Sequence, residues 1–98
     1  MAKGYVIANI DITDAERYPE YAKQVPALVE KFGGRFLVRG GRAQCREGAW
    51  HARSVVIEFP SYEQAQAWYH SDLYSEAKAL RQSASTSVQT IVEGVSET

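Results

Sequence analysis

The stretch ARSVVIEFPSYEQAQAWY, residues 52–69, carries a strand and the start of a helix on either side of a proline. Over residues 52–59 the side chains alternate and β-branched residues are frequent, which predicts a strand. Pro60 cannot donate a backbone hydrogen bond to a sheet and therefore ends that strand. Ser61 and Gln64 form a capping-box pattern, which predicts that a helix begins there. The stretch thus predicts a β-α junction whose two elements bury their apolar faces against each other.

The N-terminal half predicts a strand, a helix and a second strand. Residues 3–12 alternate, with one apolar face and one mixed face. Apolar residues between 18 and 32 then recur at spacings of three and four, which predicts a helix that ends at Gly33. Pro26 lies inside that helix, where it removes a backbone donor, and it predicts a kink or a break. Residues 35–39, RFLVR, predict a short strand that a glycine pair follows.

The C-terminal part predicts a further helical segment and a last strand. Residues 40–51 form a polar, glycine-rich connection between the second and third strands. After the junction, Ser71 is a second helix cap, and apolar residues at helical spacing continue to Arg81. Residues 83–87 are small and hydroxyl-rich and break the helix, and residues 88–95 predict the fourth strand.

The predicted element order β-α-β-β-α-β indicates one domain over residues 1–98. This length suits a single, thin core. Layer rules place both helices on one face of a four-stranded antiparallel sheet, which is an α+β, ferredoxin-like arrangement. The right-handed crossover rule then predicts the spatial strand order 4-1-3-2, with the first and third strands at the centre.

The predicted sheet has a second face that no helix covers. Strand alternation gives this face a mixture of aliphatic and polar side chains. The mixture is too apolar for a face in full contact with water and too polar for a dry core. Such a face typically packs against a partner and leaves a partly wet cavity, so we expect a homodimer in which two sheets form an α/β barrel. A monomer whose open face tolerates a few aliphatic residues is the alternative. The face is predicted to carry Tyr5, Ile7, Asn9, Leu37, Arg39, Val56, Glu58, Gln89 and Ile91.

Composition limits the binding partners and the cellular compartment that we expect. Lys and Arg number 11 and Asp and Glu number 12, so the net charge is -1, and neither a nucleic acid nor a membrane surface is an expected partner. An RNA-binding sheet would also need exposed aromatic residues on its central strands, which the third strand does not offer. Cys45 is the only cysteine, so no internal disulfide can form and a cytoplasmic location is expected. No signal region is recognisable, and no apolar run is long enough to span a bilayer.

Several segments in a fixed order resemble a known family. They are GGRFLVRGG at 33–41, the Glu-Gly of REGAWHAR, VVIEFPSYEQAQAWYHSDLYSEAKALR at 55–81, and the closing IVEG. Together they resemble domain-of-unknown-function family 1330 over nearly the whole chain. The resemblance implies a ferredoxin-like subunit that dimerises into an α/β barrel, a superfamily that includes cofactor-free monooxygenases, muconolactone isomerases and haem-dependent chlorite dismutase relatives. The family has no agreed activity. His70 and Pro26 depart from its usual pattern.

One group of candidate site residues lies on the uncovered face and its rim. Arg39 and Glu58 fall on neighbouring antiparallel strands and on the same predicted face, so we expect them to pair. Arg39 is a candidate ligand-binding residue for an anionic group, and Glu58 or His51 is a candidate catalytic proton carrier. Asn9 adds a polar ligand contact. The alternatives are a structural ion pair for Arg39 and Glu58, and a solvated side chain for His51.

A second candidate group lies on the second helical region. Trp68, Tyr69 and Arg81 combine aromatic rings with a cation and are candidate ligand-binding residues for a flat organic molecule. The alternative is core and interface packing, with the charged end of Arg81 reaching solvent. The connection that ends at His51 is the predicted mouth of the cavity.

Motifs for metals and cofactors are not found in the sequence. The two histidines, His51 and His70, are not spaced as ligands on one helix face, and neither a phosphate-binding loop nor a nucleophile elbow occurs. We therefore expect no metal and no cofactor. Two functions remain open: a cofactor-independent enzyme or binder acting on a small organic molecule in the barrel cavity, and a non-catalytic structural or ligand-binding homodimer. An open cavity joining Arg39, His51 and the aromatic residues would favour the enzyme or binder. Paired charges around a closed cavity would favour the non-catalytic homodimer.

Overall fold

The computed structural model describes residues 2–96. Within them the chain forms four strands and four helices, the helices in two consecutive pairs. The elements are β1 (Gly4–Ile12), α1 (Tyr18–Ala22), α2 (Val25–Lys31), β2 (Arg35–Arg39), β3 (Arg53–Phe59), α3 (Tyr62–Tyr69), α4 (Asp72–Ala84) and β4 (Ser85–Glu93). In this part of the chain no helix is long and apolar enough to cross a membrane.

The four strands form one antiparallel sheet in the order β2-β3-β1-β4. Read from the other edge, this is the predicted order 4-1-3-2, so the ferredoxin-like α+β fold is confirmed. The helices pack on one face of the sheet, here called the inner face. The opposite face, which no helix covers, is called the outer face.

The predicted helix break at Pro26 is confirmed. The helical stripe is divided into α1 and α2, which Lys23 and Gln24 separate. Pro26 occupies the first turn of α2, where a missing N–H is tolerated because that position has no acceptor within the helix. The first helical region is therefore two short pieces, of 5 and 7 residues, rather than one continuous rod.

Both predicted helix caps are formed. The Ser61 hydroxyl accepts a hydrogen bond of 3.0 Å from the backbone N–H of Gln64, and the Ser71 hydroxyl accepts one of 3.2 Å from that of Tyr74. Each bond satisfies an N–H group that the first turn of a helix leaves without a partner. These caps separate α3 from β3 and α4 from α3, as the sequence indicates.

The core lies between the inner face and the helices. Of the apolar face predicted for β1, Val6, Ala8 and Ile10 are buried there, whereas Ile12 at the end of the strand is 43% exposed. The largest fully buried side chains of the core include Trp68, Tyr74 and Phe59. Aromatic rings fill the space at the helix side, with the ring centres of Trp68 and Tyr74 only 4.1 Å apart. The buried apolar residues of the sheet are Val6, Ala8, Ile10, Val55, Ile57 and Phe59.

The assignment of β4 residues to the outer face was wrong. Gln89 lies opposite Ala8 and Ile91 opposite Val6, so both belong to the inner face. The strand begins at Ser85, directly after α4, and not at residue 88. Because side chains alternate, choosing the wrong parity moves every side chain of a strand to the other face. The outer face of β4 instead carries Val88, Thr90 and Val92.

The expected shared face of Arg39 and Glu58 was also wrong. A β-bulge interrupts the pairing of β2 with β3 between Phe36 and Val38. Such a bulge adds one residue to a strand and therefore inverts the alternation beyond it. Arg39 lies opposite Val55 on the inner face, whereas Glu58 stays on the outer face opposite Arg35.

Candidate functional site

A small cavity of about 30 Å³ lies between the inner face and the segment formed by α1 and α2. We call it the inner cavity. Its walls are mostly apolar, with a few polar groups, as is usual for small-molecule sites. Its lining includes Tyr18, Tyr21, Val25, Phe36, Arg39, Arg53, Val55, Ile57 and Trp68.

Two N–H groups of residues that line the inner cavity have no hydrogen-bond acceptor among the described residues. They are Nε1 of Trp68 and Nε of Arg53, and both atoms are buried. Leaving a buried donor without a partner typically costs about 1–3 kcal/mol. Trp68 itself is 1% exposed, so bulk water cannot solvate its indole N–H. The cavity therefore favours an occupant that supplies acceptor atoms.

Two guanidinium groups flank the inner cavity. Arg53 lies 5.7 Å from the ring centre of Tyr18, and Arg39 lies 4.7 Å from that of Phe36. Gly40 makes room for Arg53: its φ is +71°, and an added Cβ would lie 2.8 Å from the guanidinium carbon. The positive charges stand beside the buried donors, so the acceptor that fits best is an anionic or strongly polar oxygen.

Tyr21, which lines the cavity, and Tyr74, which does not, form a buried hydroxyl pair at 2.8 Å. Burial raises the pKa of the Tyr21 hydroxyl above its ordinary value, and the neighbouring Tyr74 raises it further. Burial likewise raises the pKa of Tyr74, although its hydrogen bond with Tyr21 acts in the opposite direction. Both phenols are therefore neutral near pH 7, and they support the cavity wall as a hydrogen-bonded pair.

The predicted aromatic and cationic group divides between two places. Trp68 faces the inner cavity, whereas Tyr69 and Arg81 line a separate open groove of about 440 Å³ beside the start of β4. Arg81 is only 2% exposed, and its Nη1 donates to the Ser87 hydroxyl at 3.2 Å. Tyr69 lies under the Lys78 ammonium, 4.3 Å from the ring centre. The structure thus does not bring Arg81 and Trp68 to one pocket.

Glu58 is engaged on the outer face. One carboxylate oxygen accepts from Nε of Arg35 at 3.0 Å, and the other from the Tyr5 hydroxyl at 3.3 Å. The side chain of Glu58 is 13% exposed, while that of Arg35 is 72% exposed. The partner of Glu58 is therefore Arg35 and not Arg39, because the β-bulge turns Arg39 away.

Asn9 and His51 meet at the rim of the outer face. The Asn9 amide donates to the carbonyl oxygens of His51 and Arg53, each at 3.1 Å, and accepts from the His51 backbone N–H at 2.8 Å. Both N–H groups of Asn9 are thereby used. The structure thus shows Asn9, predicted as a ligand contact, to be a buried brace for residues 51–53.

The His51 imidazole pairs with a residue that the sequence analysis did not single out. Its Nδ1 lies 2.6 Å from Oδ2 of Asp11, and the other carboxylate oxygen accepts from the Ala52 N–H at 2.9 Å. The Ala52 N–H bond, and then the His51 bond, hold the pKa of Asp11 below its ordinary value of 3.8. Asp11 alternates with Asn9 on β1, which is the signal that could have identified it.

Arg53, Tyr18 and Tyr21 were likewise not predicted as site residues. Arg53 stands on the apolar side of an otherwise confident strand, and a charge in that position is a detectable signal. The two tyrosines belong to a helical stripe that reads as ordinary core. Within residues 2–96, no cluster of three or more metal-ligating side chains occurs.

A family model described as Domain of unknown function (DUF1330) matches residues 3–95. No curated protein matches. Among solved structures, a protein of unknown function from Rhodopseudomonas palustris is similar with a TM-score of 0.77 and 18% identity, over 97% of this chain and 84% of that one.

A second solved structure is SnoaB, a cofactor-independent oxygenase from Streptomyces nogalater. It is similar with a TM-score of 0.67 and 11% identity, over 100% of this chain and 97% of that chain. At these identities, both likenesses establish the shared fold.

Proposed function

We propose a function for this chain, which belongs to the family described as Domain of unknown function (DUF1330), from the geometry of its cavity, since that description states no activity. The protein binds a small organic molecule in the inner cavity and acts on it without a cofactor. The ligand class carries a carboxylate, carbonyl or phenolate oxygen. The observation that carries this proposal is the pair of buried, unpartnered donors, Trp68 Nε1 and Arg53 Nε, in the described residues that line the cavity.

The size of the inner cavity defines what part of a ligand enters. About 30 Å³ holds an oxygen-bearing head group, or two to three water molecules at roughly 10–15 Å³ of probe-occupied volume each. The body of the ligand then lies toward Arg39 and the break between α1 and α2. A head group that reproduces the hydrogen bonds of a displaced water retains their favourable enthalpy. It also gains an electrostatic attraction to the positive charge of Arg53.

A homodimer through the outer face forms part of the proposal. The accessible surface is 6253 Å², roughly 650 Å² above the value of about 5,600 Å² expected for a folded monomer of this mass. One partner in a standard interface buries about 800 Å². Large apolar side chains are exposed on this face, namely Ile7, Val38, Val88 and Val92. A second copy facing the first would cover them.

A second candidate function is a non-catalytic ligand-binding homodimer. The engagement of Glu58 favours it, because a carboxylate paired with Arg35 and Tyr5 is a poor general base. Both candidates require the inner cavity to bind a ligand, and they differ only in turnover.

Ligand binding can be tested with the tryptophan fluorescence of the protein. Trp50 and Trp68 are the two tryptophans, so a Trp50→Phe background leaves Trp68 as the sole reporter. A panel of small carboxylates, phenols and quinones is titrated against it. We expect saturable quenching by some members, together with a raised melting temperature. Mass spectrometry of a bound compound after incubation then separates conversion, which supports the enzyme, from an unchanged mass, which supports the second candidate.

Two arginine variants make the test specific. Arg53→Met removes the cavity donor and should weaken binding about tenfold, the effect of losing roughly 1.4 kcal/mol from a charged hydrogen bond. Arg35→Met removes a cation from the outer face and should leave the affinity unchanged. Equal affinity in the two variants, or the lack of any binding compound in the panel, contradicts the proposal.

A further inference from the structure

The open groove of about 440 Å³ beside the start of β4 has a lining of polar side chains, and we call it the β4 groove. Ser87 and Gln89 line it, and they lie opposite Ile10 and Ala8, on the inner face of the sheet. A homodimer through the outer face therefore does not cover this side of β4. None of the described residues that line the groove is acidic.

Arg81 brings a buried positive charge to the β4 groove. The residue is 2% exposed, and its buried Nε has no hydrogen-bond acceptor among residues 2–96. Neither an aspartate nor a glutamate in the described part of the chain forms an ion pair with it. Burying a charge costs free energy unless a counter-charge and hydrogen bonds compensate for the lost water. The guanidinium group therefore favours an anion from solution.

The protein groups around Arg81 offset only part of its charge. Arg81 lies in the last turn of α4, where the partial negative charge of the helix end favours a cation. Burial raises the pKa of the nearby Tyr21 and Tyr74 hydroxyls, against the opposing effect of the Arg81 charge, so neither supplies a phenolate near pH 7. The Lys78 ammonium adds a second cation, 4.3 Å from the ring centre of Tyr69, which lines the groove.

Ser87 carries the effect of the Arg81 charge toward solvent. Its hydroxyl accepts a hydrogen bond of 3.2 Å from Nη1 of Arg81, which leaves the proton of the hydroxyl available to donate. Accepting from a cation polarises a hydroxyl and strengthens it as a donor. Ser87 is exposed, whereas Gln89 is half-buried, and the side-chain amide of Gln89 has no hydrogen bond among the described residues. Two side-chain donors beside a guanidinium group suit carboxylate or phosphate oxygens.

From these contacts we propose that the β4 groove binds a small polar molecule that carries a carboxylate or phosphate group. Arg81 supplies the positive charge, and Ser87 and Gln89 donate hydrogen bonds to the oxygens of the ligand. The ligand in turn supplies the counter-charge that Arg81 lacks among the described residues. Neither Arg81 nor Ser87 lines the inner cavity, so this site does not rest on the function proposed for that cavity.

The test titrates the whole protein with citrate and with inorganic phosphate, using chloride at matched ionic strength as the reference. NMR follows the backbone amide of Ser87 and the Nε–H of Arg81. We expect saturable shifts of both signals, and the probe that binds more tightly identifies carboxylate or phosphate as the preferred group. The indole N–H of Trp68 reports on the inner cavity. A shift of the Trp68 signal alone would place the anion there and contradict the proposal.

Two substitutions and two controls make the test specific. Arg81→Met replaces the charge with an apolar chain that suits a buried position, and it should weaken binding about tenfold or more, the effect of losing a charged hydrogen bond. Ser87→Ala, at an exposed position, should weaken binding about threefold or more. Arg42→Met and Ser83→Ala remove an exposed cation and an exposed hydroxyl that do not line the groove, and they should leave the affinity unchanged.

Three results overturn the proposal: no saturable shift with either probe, an affinity that Arg81→Met or Ser87→Ala leaves unchanged, or an equal loss of affinity in the two controls. If Arg81→Met does not fold, Ser87→Ala decides the matter alone. Failure here leaves the inner cavity unaffected, because the fluorescence of Trp68 tests that cavity separately.

Discussion

Arg39 Nη2 donates a hydrogen bond of 2.6 Å to the carbonyl oxygen of Ala22, which joins the end of β2 to the end of α1. Ala22 is the last residue of α1, where carbonyl groups have no partner within the helix and a positive charge is favourable. The same guanidinium lies over the Phe36 ring at the side of the inner cavity. The β-bulge beside Leu37 thus places Arg39 where it both lines the inner cavity and ties the sheet to the short helix that covers it.

Arg39→Ala should loosen α1 without unfolding the protein. Arg39 is exposed, so we expect a stability loss of about 1 kcal/mol or less. Backbone amides of α1 should exchange faster with solvent, because the tie to Ala22 is lost. Hydrogen exchange followed by NMR measures this, with Arg35→Ala on the outer face as the matched control. A loss of 3 kcal/mol or more, as for a buried charge pair at about 3–5 kcal/mol, would contradict this account.

Ile7→Glu should convert a dimer to a monomer. Ile7 is 38% exposed on a central strand of the outer face, and a charge there cannot be buried against a second copy. Leu73→Glu is the control, since Leu73 is 53% exposed on α4, on the helix side. Sedimentation should show twice the mass of one chain for the unmodified protein and for the control. A monomer in the unmodified protein at micromolar concentration would refute the dimer.

The protein should lose stability at alkaline pH through Tyr21 and Tyr74. The pKa of each hydroxyl is raised in the folded state. The stabilisation is therefore complete below the unfolded pKa of about 10 and is lost as pH rises from there toward the folded values, by up to about 1.4 kcal/mol per pH unit for each group. Denaturant midpoints across this range measure the slope. The Tyr21→Phe, Tyr74→Phe double variant should show a shallower slope, and an unchanged slope would remove these residues as the cause.

Asp11 should stabilise the folded protein near neutral pH and lose this effect in acid, whereas the tyrosine pair loses its effect in alkali. The pKa of its carboxyl group is lowered in the folded state from an ordinary value of 3.8. Its stabilising effect is thus present above that value and is lost as pH falls below it through the folded pKa. Carboxyl NMR titration should report the lowered midpoint directly, and Asp11→Asn should remove this part of the acid sensitivity. A midpoint at or above 3.8 would contradict the hydrogen bonds from Ala52 and His51.

Gly4→Ala should destabilise the junction between β1 and α3. An added Cβ would lie 2.7 Å from the Tyr62 Cα and would also strike the backbone of Ser61. Backbone atoms cannot move aside cheaply, so we expect a loss of about 1–3 kcal/mol in the free energy of unfolding. Gly41→Ala is the control, because a Cβ there meets nothing within 4 Å. Equal melting temperatures for the two variants would contradict the close approach.

The elements and their order follow from signals between residues that are close in the sequence. The alternation of β1 and β3, the caps at Ser61 and Ser71, and the break at Pro26 are all signals carried by neighbouring residues. Periodicity and capping act within one or two turns or a single strand, so they can be read without knowledge of what lies across the fold. Layer and crossover rules then sufficed for the sheet order.

Which side chains share a face of the sheet depends instead on how the strands pair. The bulge between Phe36 and Val38 and the register of β4 against β1 are features of cross-strand pairing, and they place Arg39, Gln89 and Ile91 on the inner face. A one-residue shift in strand register changes the local free energy little, yet it moves every later side chain of the strand to the other face. The pattern of neighbouring residues therefore cannot settle the register. The pairing of His51 with Asp11, 40 residues apart, likewise exists only because β1 and β3 are adjacent.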